Sequence, residues 1–218
     1  MFRFKFVTSP LNRMSGLVLV WDMDNTLVGN YYDVLDRSLH EVLHFNRNAV
    51  AILQEAIKAK ARGTVEAIFM LTNNADKDFI EYVHTRLVNK LDVPIVFDYI
   101  MDRTHEARPP PADDPPKRLE DVEFMMKAVG KSTYNLANRV FFFDDIPDHE
   151  ILAEIPPAHY IHIFPRFEPF VQDQTNFKPL LDAISARGGR RRPRTRKTRA
   201  KKKGKKSKKN LTNMLRDM

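Results

Sequence analysis

The sequence contains no cysteine among its 218 residues and no long hydrophobic run. Without cysteine, a disulfide framework and any zinc or iron–sulfur site with cysteine ligands are excluded, and the absence is typical of a reducing compartment. The longest apolar stretch near the N-terminus, Leu17–Trp21, is far shorter than the roughly 20 residues that a membrane-spanning helix needs. The opening MFRFKFVTSP also lacks the apolar segment of a signal peptide. The sequence therefore predicts an intracellular protein with no membrane as partner.

Positive charge is concentrated at one end of the chain. The net charge is +8, but residues 1–186 hold 20 Lys and Arg against 27 Asp and Glu, whereas residues 187–218 hold 16 against one. The body therefore has a net charge of −7 and the tail one of +15. We expect one folded domain over 1–186 and a tail over 187–218 that is disordered when unbound. Like charges repel there, and little apolar surface offsets the entropy of ordering.

A basic run of this kind suggests a polyanionic partner. It attracts phosphate backbones through counterion release, and it is also typical of a nuclear-import signal. DNA, RNA, an acidic protein and an import receptor are all alternatives for its partner, as is a purely solubilising role. The tail thus favours a nuclear location and contact with nucleic acid or another polyanion, but it carries no chemistry of its own.

Short apolar segments alternate along the body with segments of helical periodicity. Predicted strands lie within 16–26, 66–74, 93–101, 137–145 and 159–164, and predicted helices within 48–61, 76–88, 119–129 and 177–185. Asn48 is the predicted N-cap of the first helix and Gly63 its predicted stop, and residues 108–116 form a proline-rich loop. Strands alternating with helices predict an α/β fold with a parallel sheet flanked by helices.

Acidic residues follow two of the predicted strands. Asp22, Asp24 and Thr26 form a D-x-D-x-T motif after the first strand, and Asp144 and Asp145 end another. A carboxylate at Asp22 can act as a nucleophile, and a second one two positions later can transfer a proton. Because adjacent carboxylates repel each other, a divalent cation is expected between them. We predict Mg²⁺, bound at these four acids.

Groups that bind phosphate are expected at two further places. Thr72 and Asn73 end the second predicted strand, where a hydroxyl and backbone N–H groups suit phosphate oxygens. Lys117 follows the proline-rich loop and precedes a helix, where a cation can stabilise the charge of a transition state. Lys127 and Lys131 lie nearby and are alternatives to Lys117.

Histidines are not assigned to the metal site. His149 follows the acid pair in DDIPDHE and is interpreted as a surface or substrate-facing residue rather than a ligand. His159 and His162 are three positions apart, so on a strand they point to opposite faces, and we interpret both as structural.

The motifs, in their order along the chain, resemble the haloacid-dehalogenase (HAD) phosphohydrolase superfamily. The resemblance covers most of residues 16–165 and rests on D-x-D-x-T at Asp22–Thr26, on Thr72, on Lys117 and on the acid pair Asp144–Asp145. It implies a HAD-like, Rossmann-type sheet and hydrolysis of phosphomonoesters through an aspartyl-phosphate intermediate. It also implies that Thr72 and Lys117 hold the phosphate.

The same resemblance implies roles for the acids. Asp22 corresponds to the nucleophile, and Asp24 corresponds to the general acid/base of the phosphatases in the superfamily. The side chains of Asp22 and Asp144 and the backbone carbonyl of Asp24 correspond to the metal ligands. Asp145 corresponds to a residue that contributes directly or through water.

The intervals between the motifs leave no room for a large cap domain. Only a flap-sized piece, residues 28–47, is available between the first two motifs, and the interval 72–117 already holds a helix, a strand and the proline-rich loop. An open site suits a phosphorylated protein or a nucleic-acid end better than a buried metabolite.

Two segments narrow the resemblance further. WDMDNTLV and VFFFDDIPDHEI look most like the RNA polymerase II C-terminal-domain (CTD) phosphatases and the NLI-interacting-factor group. The short body with its basic tail is similar to the CTD-phosphatase-like proteins of large DNA viruses. The resemblance implies a serine/threonine protein phosphatase whose substrate is a phosphorylated protein such as the polymerase CTD.

Two other functions are alternatives. The basic tail motivates a nucleic-acid 3′-end phosphatase with the same chemistry. Asn25 lies inside the D-x-D-x-T motif, at a position where the CTD-phosphatase group commonly has glutamate. It motivates the second alternative, a nucleic-acid-binding scaffold whose HAD body is inactive.

Overall fold

The computed structural model of the protein describes residues 15–29, 43–108, 115–147, 149–167 and 172–188. The centre of the predicted proline-rich loop 108–116 and nearly all of the predicted tail 187–218 lie outside these residues. The predicted disorder of the tail and its predicted polyanionic partner therefore stay predictions.

Five parallel strands form one sheet in the order β3-β2-β1-β4-β5. The strands are β1 Leu17–Trp21, β2 Val65–Leu71, β3 Tyr99–Met101, β4 Val140–Asp144 and β5 Tyr160–His162. Every residue of β1 and β4 is buried, as expected for central parallel strands covered on both faces. The predicted α/β fold with a parallel sheet is confirmed.

Helices cover both faces of the sheet. They are α1 Arg47–Ala61, α2 Lys77–Leu91, α3 Leu119–Ala128, α4 Ile151–Glu154 and α5 Lys178–Gly188, with a 3₁₀ helix at Pro157–His159. Leu19 and Trp21 of β1 pack in the apolar core formed with α1, α2 and α5. Val18 and Val20 pack in a second core, formed with α3 and α4. The alternation of strand side chains thus produces one core on each face.

The strand order identifies the edge of the sheet that suits a ligand. The chain runs outward from β1 through β2 to β3, then returns to the other side of β1 and continues through β4 to β5. Between β1 and β4 the direction of winding therefore reverses. In open α/β sheets, ligands bind outside the carboxyl ends of the strands at such a reversal. Both predicted acidic motifs follow these two strands.

The beginning of α1 differs from the sequence-based prediction. Asn46 is the N-cap, and its Oδ1 accepts hydrogen bonds from the N–H groups of Asn48 and Ala49, each at 3.1 Å. Asn48, the predicted cap, lies in the first turn of the helix. Gly63 has a φ of 71° just after the helix, which matches its predicted role as a stop because glycine adopts positive φ at little cost.

The predicted strand 93–101 is wrong in its first part, because β3 begins at Tyr99. Pro94 has no backbone N–H to donate to a neighbouring strand. Asp98 has a carboxylate that accepts the N–H of Ile68 at 2.9 Å, while its own N–H donates to the Ile68 carbonyl at 2.7 Å. A side chain therefore takes the place of a strand acceptor, and regular pairing starts one residue later.

Two predicted boundaries, the domain end at 186 and the flap 28–47, can be compared with the structure. Helix α5 ends at Gly188, so the predicted domain end at 186 falls inside a helix, and Arg187 donates a hydrogen bond to the carbonyl of Ser15. At the predicted flap 28–47, the Gly29 N–H donates to the His44 carbonyl at 3.1 Å, so the chain leaves and returns at one place. Residues 30–42 between them lie outside the described residues.

Among the helices that the structure describes, none is long and apolar enough to cross a membrane.

Candidate active site

Three carboxylates meet at the carboxyl ends of β1 and β4. Asp22 directly follows β1, Asp144 is the last residue of β4, and Asp145 follows it. All three are buried, and one carboxylate oxygen of each lies within 4.8 Å of the others. The backbone fixes this arrangement, because the Asp22 N–H donates to the Phe143 carbonyl at 2.9 Å. A buried group of three carboxylates at this spacing can hold a metal ion.

Lys117 lies between two of these acids. Its ammonium nitrogen is 2.6 Å from Asp22 Oδ1 and 2.6 Å from Asp144 Oδ2, and its side chain is buried. The Lys117 carbonyl accepts the Ile151 N–H at 3.0 Å, which holds the loop before α3 against the start of α4. Lys127, in contrast, pairs with Glu123 on the exposed side of α3. Of the three lysines considered from the sequence, the structure brings Lys117 into the site, since Lys131 is also exposed.

Burial and close charges perturb the acids and the lysine together. Burial raises the pKa of Asp22 well above its ordinary value, against the effect of Lys117. Burial also acts to raise the pKa of Asp144, but the charges and hydrogen bonds of Lys117 and His149 together outweigh it, so that pKa is lowered. The pKa of Lys117 is raised because the two carboxylates outweigh its burial. Burial and the charge of Asp144 raise the pKa of Asp145 to about 6, against the effect of Arg166. Burial and mutual repulsion thus disfavour the ionised forms of Asp22 and Asp145, and a bound cation would favour these forms.

Asp24 lies outside the three-carboxylate cluster. Its two carboxylate oxygens accept hydrogen bonds from the Asn74 side-chain amide at 3.2 and 3.4 Å. Burial raises the pKa of Asp24, and hydrogen bonds from Asn74 and from the Thr72 hydroxyl partly oppose this. Of the four acids predicted to bind Mg²⁺, the structure brings the side chains of three together and leaves that of Asp24 outside. Its predicted proton-transfer role stays a prediction. Asn74 was not recognised from the sequence.

Thr72 and Asn73 follow β2, and the structure gives them different surroundings. Thr72 is fully buried, and its hydroxyl accepts the Asn74 N–H at 3.1 Å. The Asn73 amide oxygen accepts a hydrogen bond from Arg108 at 2.8 Å, and its amide nitrogen donates to the Pro115 carbonyl at 3.2 Å. The Asn73 side chain therefore links two loops. Its predicted phosphate contact, which would be made by the backbone N–H, stays a prediction.

Arg108 is a second residue of the site region that sequence reasoning missed. It is 5% exposed and donates to the carbonyls of Thr72 at 3.0 Å and Pro115 at 3.2 Å. Its Nε also lies 4.0 Å from a carboxylate oxygen of Asp121. Arg108 thus holds the loop after β2 to the segment that leads to Lys117. Nothing in the periodicity of the sequence distinguishes it from a solvated arginine.

The interpretation of His149 as a surface residue is wrong, and the alternative of a substrate-facing residue stays a prediction. The side chain is buried, and its Nε2 lies 3.3 Å from Asp144 Oδ2. The cause is local, because the Leu152 N–H donates to the His149 carbonyl where α4 begins, and the ring meets the edge of Phe142. The His149 ring contacts one oxygen of the Asp144 carboxylate, and the Ile146 N–H donates to the other, Oδ1, at 2.8 Å.

The two other histidines lie beside the sheet. His159 belongs to the 3₁₀ helix rather than to β5, and its ring stacks on Phe141 with centroids 4.2 Å apart. His162 is in β5, with Nε2 3.2 Å from the Asp145 carbonyl oxygen. Each has a structural contact, as interpreted from the sequence.

Asn25 has a backbone conformation that explains its residue type. Its φ is 57°, in the left-handed region that asparagine adopts more readily than most residues other than glycine. Its carbonyl accepts the Phe167 N–H at 2.7 Å. The tight turn that separates Asp22 and Asp24 from Leu27 therefore accounts for an asparagine at this position.

Comparisons with known proteins supply no family for the chain. No protein-family model and no curated protein matches it. Among solved structures, an uncharacterized protein from Listeria monocytogenes serotype 4b has 15% sequence identity and a TM-score of 0.42. The match covers 78% of this chain and 96% of that one.

Proposed function

We propose that the protein is a Mg²⁺-dependent phosphomonoester hydrolase of the HAD type, acting through an aspartyl-phosphate at Asp22. The single observation that carries the proposal is the position of the Asp22 carboxylate. It is buried at the carboxyl end of a central parallel strand, 2.6 Å from Lys117 and within 4.8 Å of the Asp144 and Asp145 carboxylates. The order of these residues along the chain is that of the HAD motifs.

The donor set fits Mg²⁺. Asp22, Asp144 and Asp145 offer only carboxylate oxygens, which are the hard ligands that this ion prefers. Two cationic groups, the Lys117 ammonium and the Arg166 guanidinium, stand beside three carboxylates, so a cation adds favourable charge to the cluster. When bound, Mg²⁺ neutralises phosphate charge and orients the ester for in-line attack.

The reaction then has two steps. A carboxylate oxygen of Asp22 attacks the phosphorus, the bond from phosphorus to the ester oxygen breaks, and Asp24 gives its proton to that oxygen. In the second step Asp24 takes a proton from water, the water oxygen attacks the phosphorus, and the bond to Asp22 breaks. Inorganic phosphate leaves, and both acids return to their initial states.

The remaining residues hold the groups in place. Lys117 orients the Asp22 carboxylate and offers positive charge where the transferring phosphoryl group gains negative charge. Asn74 holds Asp24 through its two carboxylate oxygens. We assign to the Thr72 hydroxyl, which hydrogen-bonds Asp24, the contact with a phosphate oxygen that the HAD resemblance implies.

For the substrate we propose a phosphorylated serine or threonine of a protein, as in the CTD-phosphatase-like group. Two features support this choice. The intervals between the motifs have no room for a large cap, and the flap-sized piece begins and ends at one hydrogen-bonded place, Gly29 and His44. A site without a large cap suits a side chain carried on an extended peptide. A nuclear location belongs to the same proposal and rests on the basic residues 187–218.

A substrate screen tests the proposed function. The full chain is incubated with Mg²⁺ and p-nitrophenyl phosphate, phosphoserine and phosphothreonine peptides including CTD repeats, and 3′-phosphorylated oligonucleotides. We expect release of phosphate from the peptides, and loss of at least about 1,000-fold in Asp22→Asn. Asp78→Asn, the same change on the exposed side of α2, is the matched control. Turnover that survives in Asp22→Asn excludes Asp22 as nucleophile.

The second candidate substrate is a nucleic-acid 3′-phosphate, which the +15 charge of residues 187–218 favours. Preference for the oligonucleotide in the same screen supports it. Salt-sensitive binding of DNA without hydrolysis of any substrate supports the inactive scaffold instead.

A further inference from the structure

Two backbone hydrogen bonds fasten the segment after β5, residues 163–167, to the candidate active site. The Ile163 N–H donates to the Asp144 carbonyl at 2.9 Å, at the end of β4. The Phe167 N–H donates to the Asn25 carbonyl at 2.7 Å, inside the D-x-D-x-T turn. This rim segment is thus attached at both ends to the two loops that carry the acids.

Arg166 lies between these two attachments and contacts the site from outside. Its Nε is 2.9 Å from Asp145 Oδ2. The Asp145 side chain is 3% exposed and that of Arg166 is 61% exposed, so the pair spans the boundary between the buried cluster and solvent. Among the described residues, the two terminal nitrogens of the guanidinium have no partner. The exposed guanidinium therefore has donors left for a ligand, beside the candidate metal ligand Asp145.

We propose that Arg166 binds a second anionic group of the substrate, a carboxylate or a phosphate next to the phosphoryl group that is hydrolysed. This inference rests on the proposed function and specifies its substrate as a phosphopeptide with a second negative charge. The hydrolysed group must reach Asp22 and Lys117, which are buried, whereas Arg166 lies on the outer side of Asp145. The planar guanidinium binds carboxylate and phosphate through paired hydrogen bonds.

Charge favours a peptide over nucleic acid as the occupant of this position. Residues 1–186, which include the site, have a net charge of −7. A body of that charge repels the continuous phosphates of a nucleic acid more strongly than a peptide with one additional anion. A single exposed arginine at the rim suits one additional anion.

The test compares three peptides that share one phosphoserine. One has neutral neighbours, one has a neighbouring glutamate, and one has a neighbouring non-hydrolysable phosphonate, so the two sources of the anion are separated. The measured quantity is the ratio of kcat/KM for each anionic peptide to that for the neutral peptide. We expect a ratio of roughly ten in the wild type, near one in Arg166→Gln, and intermediate in Arg166→Lys. Arg86→Gln, on the exposed side of α2, keeps the wild-type ratio.

Equal losses for all three peptides in Arg166→Gln would overturn the proposal, because Arg166 would then act only through Asp145. A loss confined to a 3′-phosphorylated oligonucleotide would also overturn it and assign Arg166 to nucleic acid. Calorimetric binding of the same peptides to Asp22→Asn, with and without Arg166→Gln, gives a readout that needs no turnover. A wild type that hydrolyses no phosphomonoester refutes the proposed function, whereas the binding ratio still decides the role of Arg166.

Discussion

The ammonium of Lys117 lies 2.6 Å from Asp22, across 95 positions of the chain. Both side chains are buried, and the same ammonium reaches Asp144 on the neighbouring strand. One cation therefore joins the loops after β1 and β4, where the winding of the sheet reverses. Removing it leaves two buried carboxylates without their main counter-charge, which affects both chemistry and folding.

Replacement of this lysine tests both effects. For Lys117→Met we expect kcat to fall at least about 100-fold, because charge stabilisation is lost. We also expect the free energy of unfolding in EDTA to fall by about 3 kcal/mol, because a buried ion pair is broken. Steady-state kinetics and urea unfolding measure these changes.

Lys127→Met is the matched control, since Lys127 forms an exposed pair with Glu123 one turn away on α3. Its expected cost is less than about 1 kcal/mol, with unchanged kinetics. Near-normal turnover in Lys117→Met would contradict the role given to this lysine.

The carboxylate cluster predicts a requirement for a divalent cation. EDTA should abolish hydrolysis and Mg²⁺ should restore it, because three buried carboxylates otherwise repel the phosphate. Mg²⁺ at about 100 times its dissociation constant should add about 2.7 kcal/mol to stability, seen as a higher Tm. In Asp145→Asn, a higher Mg²⁺ concentration should be needed for half-maximal activity and for half the Tm shift. Asp78→Asn should behave as wild type, and equal half-maximal concentrations in the two variants would exclude Asp145 as a ligand.

Asn25 allows a direct test of the left-handed turn. Asn25→Gly should leave stability nearly unchanged, because glycine adopts a φ of 57° readily. Asn25→Val should cost roughly 1–2 kcal/mol, because a β-branched residue is strained in this region. We expect lower kcat in Asn25→Val, since the turn also places Asp22 and Asp24. Chemical denaturation and kinetics of the two variants separate two explanations. Backbone strain predicts a defect in Asn25→Val alone, whereas loss of the side-chain amide predicts equal defects in Asn25→Val and Asn25→Gly.

The sequence predicted those parts of the fold and site that depend on local patterns. The run Leu17–Trp21 is apolar throughout and is followed by acids, which predicts both a central strand and the end of the sheet at which a site lies. Lys117 could not be separated from Lys127, because the difference is a contact across 95 positions. Arg108 and Arg166 were missed for the same reason, since no periodicity marks an arginine whose partners lie on distant loops. The N-cap of α1 was predicted at Asn48 rather than at Asn46, because the two asparagines lie two positions apart and either can cap a helix.

We expect His84, which lies on α2 and not in the candidate active site, to make the stability of the fold depend on pH. Burial lowers the pKa of His84 below its ordinary value, although Glu81 opposes this. A histidine with a lowered pKa stabilises the fold above its unfolded pKa, and this contribution is lost as pH falls through about 6.5 towards the folded value. His84→Gln should therefore lose less stability than wild type between pH 7.5 and pH 5.5, measured as urea midpoints. An identical pH dependence in wild type and His84→Gln would contradict the effect of burial.

The end of α5 determines where the basic tail can be removed cleanly. A truncation after Ala186 deletes the last two residues of α5 and the hydrogen bond from Arg187 to the carbonyl of Ser15 next to β1. A truncation after Gly188 keeps both and still removes nearly all of the tail's charge. We expect the shorter protein to have a Tm lower by a few degrees, because a change of about 1 kcal/mol produces such a shift in a domain of this size. The protein truncated after Gly188 should keep the Tm and the hydrolysis of p-nitrophenyl phosphate of the full chain.

If the tail directs the protein to a polyanion, the truncation after Gly188 should weaken DNA binding and reduce its salt dependence while phosphatase activity persists. A loss of chemical activity with the tail would instead require a role for these residues within the site.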